Sequence, residues 1–409
     1  MAWALRAAGV PVWHDVTDLP PGDTGQRLNE ALESGLSGAV LLITPEIADS
    51  RFVRDLELPR LLELAEDPQF TLAIGTTILQ ADGSGKLDYT ASDRLLGQPE
   101  GTLSGLNQCS AASPADRSDL ANSLARRRLQ LLRSGIESSG RRLTLDLQTR
   151  VPPAATVLDG DLVLRLRPPV QGERRPHRRG LEDLQHFLGQ LPQLVAVAGA
   201  HEVLIRGGAH LSVACALGAA LPTTLVGRVE AVDTRGASWA LTGQAPAPSE
   251  DRQCEVVTPP TYNFEHGPVL VYVDLLPQRS DGAFDELASR SEVFAGVMHI
   301  RGRSHDLLQA GDAAAVVGEL AEHMRALANT HRTTEIHLLL RCPYPIGLLL
   351  GRTLNTLTAH LYEWDDQPDA DRIARARYVP SIVLRSGSGG SPISQVTAPR
   401  CAIQTREDE

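Results

Sequence analysis

The segment Glu202–Glu230, EVLIRGGAHLSVACALGAALPTTLVGRVE, aligns without a gap on Glu335–Glu363, EIHLLLRCPYPIGLLLGRTLNTLTAHLYE, at a constant offset of 133 (335 − 202 and 363 − 230). Identities are few, but the plan is shared. Each copy is a short apolar run, a bend with Gly or Pro, an apolar segment of small residues and a second apolar run. Short continuous apolar runs between turn residues suit buried strands, so each copy predicts strand–turn–helix–strand. A duplicated α/β half-domain pairs about a pseudo-twofold axis with its turns facing one cleft. The C-terminal half is therefore expected to be a ligand sensor with a composite pocket.

A chain of 409 residues calls for two or three domains. A net charge of −11 argues against binding of nucleic acid duplexes or anionic membranes over the whole surface, while leaving room for a local basic pocket. Cys109, Cys215, Cys254, Cys342 and Cys401 show no CxxC spacing, which fits reduced thiols. No apolar run approaches the ~20 residues of a membrane span, and MAWALRAAGVPVWHD is not a signal peptide. A soluble, cytoplasmic protein is the expectation.

The first 130 residues alternate strand and helix signals. Ala2–Ala8 reads as a helix ended by Gly9, Val10–Trp13 as a strand, and Asp15–Thr24 as a loop of Asp, Pro and Gly. A helix to about Ser34, a buried strand Ala39–Ile43, a helix Arg51–Ala65 and a strand Phe70–Gly75 follow. This order predicts a parallel sheet with helices on both faces. Residues 80–115 read as loop and Asp116–Ser134 as a charged helix, with Gly135–Arg142 as the linker. The expected domains are thus 1–134 and 143–409, joined by 135–142, the second with halves of about 143–255 and 256–409. In the second, strands are expected near Leu143–Leu147, Leu162–Leu166, Val203–Arg206, Thr224–Val229, Val269–Val273, Val297–Ile300, Ile336–Leu340 and Ala359–Tyr362. Helices are expected near Gly180–Gln190, Leu211–Gly218, Asp312–His331 and Ile346–Thr358. Arg385–Pro392 is glycine-rich but lacks a Walker lysine, so it is a surface loop and not a phosphate loop.

Two places concentrate chemistry. In SRFVRDLEL, Phe52, Leu56 and Leu61 are expected to point inward, leaving Glu57 at the border of the buried face. Its helix follows the carboxyl end of a parallel strand, where open α/β sheets bind ligands, and a carboxylate there suits a cationic transition state. The other place is the pair of turns in the repeat, Arg206-Gly207-Gly208-Ala209-His210 and Arg341-Cys342-Pro343-Tyr344-Pro345. Each sets an Arg before a helix N-terminus, where free N–H groups attract anions. Arg forks bind phosphates, glycines allow close backbone approach, and Tyr344 offers a face for a base. The histidines lack paired ligand spacing, so no metal is expected, and no G-x-S-x-G motif supports serine hydrolysis.

The stretch VPVWHDVTDLPPGDT…LNEALESG…AVLLITPEIADSRFVRDLEL resembles a TIR (Toll/interleukin-1 receptor) domain. The resemblance implies a flavodoxin-like parallel sheet. It also implies cleavage of the nicotinamide–ribose bond of NAD+, with Glu57 catalytic and Trp13, Asp15 and Asp18 bordering the NAD+ pocket. Against the family pattern the chain begins inside the first helix, so the first strand is missing. Residues 140–405 are similar to the SAVED domain of bacterial cyclic-oligonucleotide antiphage (CBASS) systems, built of two fused, Rossmann-like CARF halves. The likeness rests on AHLSVACAL, VLVYVD, the repeat with its closing LYEW, and RYVP. It implies a cyclic oligoadenylate-type activating ligand held by Arg206, Gly207, Gly208, His210, Arg341 and Tyr344. It also implies a partner nucleotidyltransferase and head-to-tail self-association into an oligomer or filament. NAD+ enters as substrate and no cofactor is expected. The alternatives are a non-enzymatic sensor whose TIR domain serves association alone, and a sensor of another metabolite.

Overall fold

The computed structural model describes residues 1–14, 18, 24–33, 35–150, 158–169, 174–241, 252–257, 261–289, 292–304, 306–366, 376–385 and 390–399. They form two compact units, Met1–Leu132 and Arg133–Glu409. No helix of the described residues is long and apolar enough to cross a membrane.

The N-terminal unit contains helices α1 (Ala2–Ala7) and α2 (Thr24–Glu33), strand β1 (Gly38–Ile43), helix α3 (Leu58–Leu64), strand β2 (Thr71–Thr76), helix α4 (Ala91–Leu96), strand β3 (Gln108–Ser110) and the start of helix α5 (Pro114–Ser139). The strands lie in the order β1-β2-β3, all parallel. Leu41, Ile43 and Ile74 project from one face onto Leu58 and Leu96, with Leu32, Leu61 and Phe70 continuing the apolar layer. On the other face, a Cβ added to Gly75 would lie 3.1 Å from Leu120 of α5. Helices therefore cover both faces, as the alternating pattern predicts.

Three sequence expectations change here. Val10–Trp13 is not a strand: Val10 N–H bonds to Leu5 O at 3.0 Å and Pro11 has no donor, so the segment closes α1 instead of joining the sheet. Phe52 does not point inward and is 50% exposed. A wide π-turn, Val53–Glu57, precedes α3, with Leu58 N–H bonded to Val53 O, and the extra residue in the turn brings Val53 and Leu58 to the core in its place. Residues 80–115 hold α4 and β3. Buried Asp93 organises them by accepting from the N–H groups of Gly101 (2.9 Å), Leu103 (2.6 Å) and Ser104 (3.2 Å). In addition, α5 runs on through Gly135 to Ser139, its last turn capped by serine hydroxyls.

The C-terminal unit has two sheets. The first half comprises β4 (Leu143–Gln148), β5 (Leu162–Arg165), helices α6 (Arg178–Leu188) and α7 (Leu191–Val197), β6 (Glu202–Gly208), α8 (Leu211–Ala220), β7 (Arg228–Val232) and β8 (Ser238–Ala240). The second comprises β9 (Cys254–Val256), β10 (Thr261–Tyr262), β11 (Val269–Asp274), α9 (Gly282–Ala288), β12 (Gly296–Gly302), α10 (Ala313–Thr330), β13 (Glu335–Arg341), α11 (Tyr344–Gly351), β14 (Thr358–Asp365), β15 (Arg377–Arg385) and β16 (Ile393–Val396). The sheet orders are β5-β4-β6-β7-β8 and β10-β12-β11-β13-β14-β15-β16, with β9 also on β12. Within them β5-β4-β6-β7 and β12-β11-β13-β14 are parallel, and each run is closed by an antiparallel strand, β8 or β15. The halves thus share one Rossmann-like topology, with the paired segments at the offset of 133: β6 and β13 match end to end.

The expected strand from Thr224 begins only at Arg228, because Pro222 O accepts from Leu225 and Val226 N–H and makes a turn. The helix expected to reach Thr358 stops at Gly351, where Thr353 N–H turns back to Leu350 O. Arg385–Pro392 lies partly outside the described residues.

The repeat helices α8 and α11 pack on each other, and each also meets the other half's sheet, α8 on β14 and β15, α11 on β7 and β8. The contact is reciprocal. A Cβ on Gly218 would sit 1.8 Å from Leu348 O, and one on Gly351 would sit 2.0 Å from Cys215 O. Both glycines, and both carbonyls, are 133 apart. Only hydrogen fits at either point, so we expect Gly218→Ala and Gly351→Ala each to cost at least about 2 kcal/mol by overpacking, read as a fall in the urea midpoint. Gly318 in α10 has open space around it, and Gly318→Ala should be neutral or stabilising.

Candidate functional site

Strands β11 and β13 are neighbours whose following helices lie on opposite faces of the sheet. Helix α9 packs on the face of Leu270, Tyr272 and Leu339. Helix α11 packs on α8, which meets the face of Glu363 and Ser381. Such a switch of sides opens a crevice at the carboxyl edge, the usual ligand position in open parallel sheets.

In each half this edge carries a buried aspartate paired with the arginine opposite it in register. Asp146 is 1% exposed, and Arg206 binds it bidentately at 2.7 and 3.0 Å while also reaching Asp159 at 2.5 Å. Gly160 N–H fills the second lone pair of Asp146 at 2.7 Å. In the second half Asp274, also 1% exposed, accepts from Arg341 at 2.5 Å through Oδ1. Its Oδ2 is buried without a hydrogen bond among the described residues; Arg301 Nε stands 3.8 Å away. Arg301 is committed instead to both oxygens of Asp281, each at 2.9 Å. His299 on β12 joins this group, its ring 4.7 Å from that of Tyr272. A small open pocket lies alongside, lined by Asp274, Leu275, Pro277, Arg279, Arg301 and Ser304.

The predicted ligand residues have definite positions. Arg206 and Arg341 stand at the two edges as expected, but engaged with aspartates. Gly207, at φ 110°, lies where a Cβ would meet Leu147 O at 2.3 Å, so its freedom serves the approach of β4; Gly208 has open space around it. His210 is fully buried as the residue before α8, its Nδ1 and backbone N–H both 2.8 Å from Thr149 Oγ1. Tyr344 offers no free face of the kind expected: it is half-buried and its hydroxyl donates to Val232 O, tying the halves together. Buried Arg352 adds a second tie through Leu221 O (2.8 Å) and Val226 O (2.6 Å).

In the N-terminal unit, Glu57 ends the π-turn and is half-buried. Trp13 is 37% exposed. Asp18 does not stand open: it binds Arg6 at 2.9 Å and accepts from His14 N–H at 2.8 Å, while Arg6 stacks on Trp3. Asp15 lies outside the described residues. Sequence reading missed Asp146, Asp274, Asp281, His299 and Arg301. The available signal was an acid inside an apolar strand, LDL and YVD, which has to find a partner when buried.

Burial and the nearby Arg150 hold the His210 imidazole down, to about 3 against an ordinary 6.5. Between those values the unfolded chain binds a proton that the folded chain does not, so stability is lost as pH falls below 6.5. The slope from this group reaches about 1.4 kcal/mol per pH unit at most. His337 is held down in the same direction, chiefly by burial. We expect the urea midpoint to drop between about pH 7 and pH 5 and to drop less in His210→Gln; parallel profiles would contradict this assignment.

Residues 187–384 match the family model of SAVED, the SMODS-associated and fused to various effectors sensor domain. Among curated proteins none matches the chain. Among solved structures, the Acinetobacter baumannii Cap4 SAVED/CARF-domain containing receptor with the cyclic trinucleotide 2'3'3'-cAAA is 13% identical, with 84% of this chain and 88% of that chain covered and a TM-score of 0.47. The same receptor with 3'3'3'-cAAA is 14% identical, covering 85% and 88%, at 0.46. The Moraxella osloensis Cap4 receptor is 14% identical, covering 86% and 89%, at 0.44. Over residues 187–384 the chain is thus similar to the SAVED sensor domain.

Proposed function

We propose that the C-terminal unit is a receptor for a cyclic oligonucleotide and that the N-terminal unit is the effector it controls. The observation that carries the sensor reading is the match of residues 187–384 to a sensor domain described as fused to effectors. The two like halves, the second with a ligand-type crevice at its carboxyl edge, support it. A ring of nucleotides presents repeated phosphates, and a receptor of two related halves meets such a ring from two sides.

The effector reading rests on the TIR resemblance and on the placement of Glu57 after β1 in a parallel sheet covered on both faces. In this reading the N-terminal unit cleaves NAD+ at the nicotinamide–ribose bond, and the Glu57 carboxylate stabilises the positive charge that develops on the ribose. Ligand binding promotes self-association, and assembled copies are the active form. The ligand is supplied by a nucleotidyltransferase.

The test uses the full chain with cyclic di-, tri- and tetranucleotides, the cAAA isomers among them, reading binding by calorimetry and NAD+ loss by chromatography. We expect one ring class to bind and to switch on NAD+ consumption. Glu57→Gln should keep the binding and lose at least about a hundredfold in rate. Binding without NAD+ loss in the wild type would make the N-terminal unit an association module. Absence of binding to every ring would sink the sensor reading.

A further inference from the structure

The group at the carboxyl edge of the second sheet has a property that an ion-pair network does not account for. Asp274, Asp281 and His299 each bring one potential ligand atom within 4.8 Å of the others. Asp274 and His299 are 1% and 5% exposed, and Asp274 Oδ2 and His299 Nε2 are buried without a hydrogen bond among the described residues. Leaving such groups unpaired costs about 1–3 kcal/mol each, and folded chains seldom do so twice at one point. Arg301 relieves it only in part: it stands in ion-pair range of Asp274, with Nε 3.8 Å from Oδ2, but its hydrogen bonds go to Asp281.

We propose that Asp274, Asp281 and His299 bind a divalent transition-metal ion at the mouth of the pocket lined by Asp274 and Arg301. The ion takes up Asp274 Oδ2, one Asp281 oxygen and a ring nitrogen of His299. Two carboxylates and one imidazole suit Mn2+ or Zn2+ better than Mg2+ or Ca2+, which favour oxygen-only shells. Tyr272 and Phe284, with ring centroids 4.7 and 5.2 Å from that of His299, fix the imidazole plane. Arg341 holds the other Asp274 oxygen and so orients that carboxylate. Arg301 and Arg341 already offset the two carboxylates, so the expected affinity is micromolar and not tighter. Sequence spacing hides the site, because adjacent strands supply two of the ligands and the start of α9 the third.

The experiment needs no nucleotide, so its outcome is separate from that of the sensor reading. Chelator-stripped full-length protein is titrated with Mn2+ and followed by electron paramagnetic resonance, with Zn2+ as competitor. We expect one ion per chain, with nitrogen hyperfine coupling from one histidine. His299→Ala should remove that coupling. Asp281→Asn, at a partly exposed position, should weaken binding at least about tenfold, since even groups that only orient a ligand matter that much. Thermal melts check that both variants fold. No saturable binding to the folded wild type overturns the proposal, as does undiminished binding in both variants.

Discussion

The C-terminal unit depends on one contact, the crossing of α8 and α11 at Gly218 and Gly351. Each glycine lies against a carbonyl of the other helix, Leu348 and Cys215, with no space for a methyl group. The same offset of 133 that aligns the sequences also exchanges the partners in this contact, which defines a pseudo-twofold relation between the halves. Close approach forces small side chains along the seam, hence Ala214, Cys215, Gly218 and Ala219 within Ser212–Ala220, a stretch buried throughout. It also fixes where β6 and β13 end relative to each other, since each strand leads straight into its helix. The two carboxyl edges are therefore positioned by the helix pair and not by the sheets alone.

At those edges the chain buries two carboxylates, a costly choice unless each is paired and hydrogen-bonded. Asp146 is saturated by Arg206 and Gly160; Asp274 is not. The arginines that look in sequence like free phosphate forks already hold these aspartates. A polyanion arriving at either edge competes with an existing ion pair, and the second edge, with its slack contact between Arg301 and Asp274, gives way more readily.

The repeat strands are legible in sequence because each centres on a continuous apolar run, and the expected ranges of β6, β11 and β13 fall within one or two residues of the observed ones. What stays hidden depends on distant partners. Strand β3 and helix α4 are organised by Asp93 and by Gln108, whose amide donates to Tyr89 O at 2.8 Å, and no periodicity announces such a pairing. Strand β15 contains Pro380, which argues against a strand; a register shift at Leu361/Tyr362 and an exposed position accommodate it. Phe52 is misread because the π-turn adds a residue that a 3.6-residue period does not count. The candidate site is the least legible part. Its ion pairs join residues 60 and 67 positions apart, so the positions of Arg206 and Arg341 were visible while their partners were not.

The halves share a backbone plan and a buried Asp–Arg pair but not the rest of their chemistry, as the aligned pair Glu230 and Glu363 makes plain. Glu363 reaches across to α8 and accepts from Ser212 N–H at 2.8 Å, occupying a helix N-terminus with a carboxylate of the chain itself. Burial raises its proton affinity, and the Ser212 hydrogen bonds work in the opposite direction. Glu230 stays within its own half, bound by Arg142, Arg228 and Ser238, and its carboxyl is held below the ordinary range chiefly by the Ser238 hydroxyl. Tyr344 and Arg352 likewise tie the halves from the second to the first. Their counterparts at the offset of 133, Leu211 and Ala219, have no polar side chain with which to reciprocate. A ring of identical nucleotides has several equivalent ways to enter a symmetric cleft. Here one edge offers a saturated carboxylate and an open glycine, the other an unsaturated carboxylate, an imidazole and a pocket. If the C-terminal unit receives such a ring, as proposed, the unlike edges would break the equivalence and favour one orientation of it.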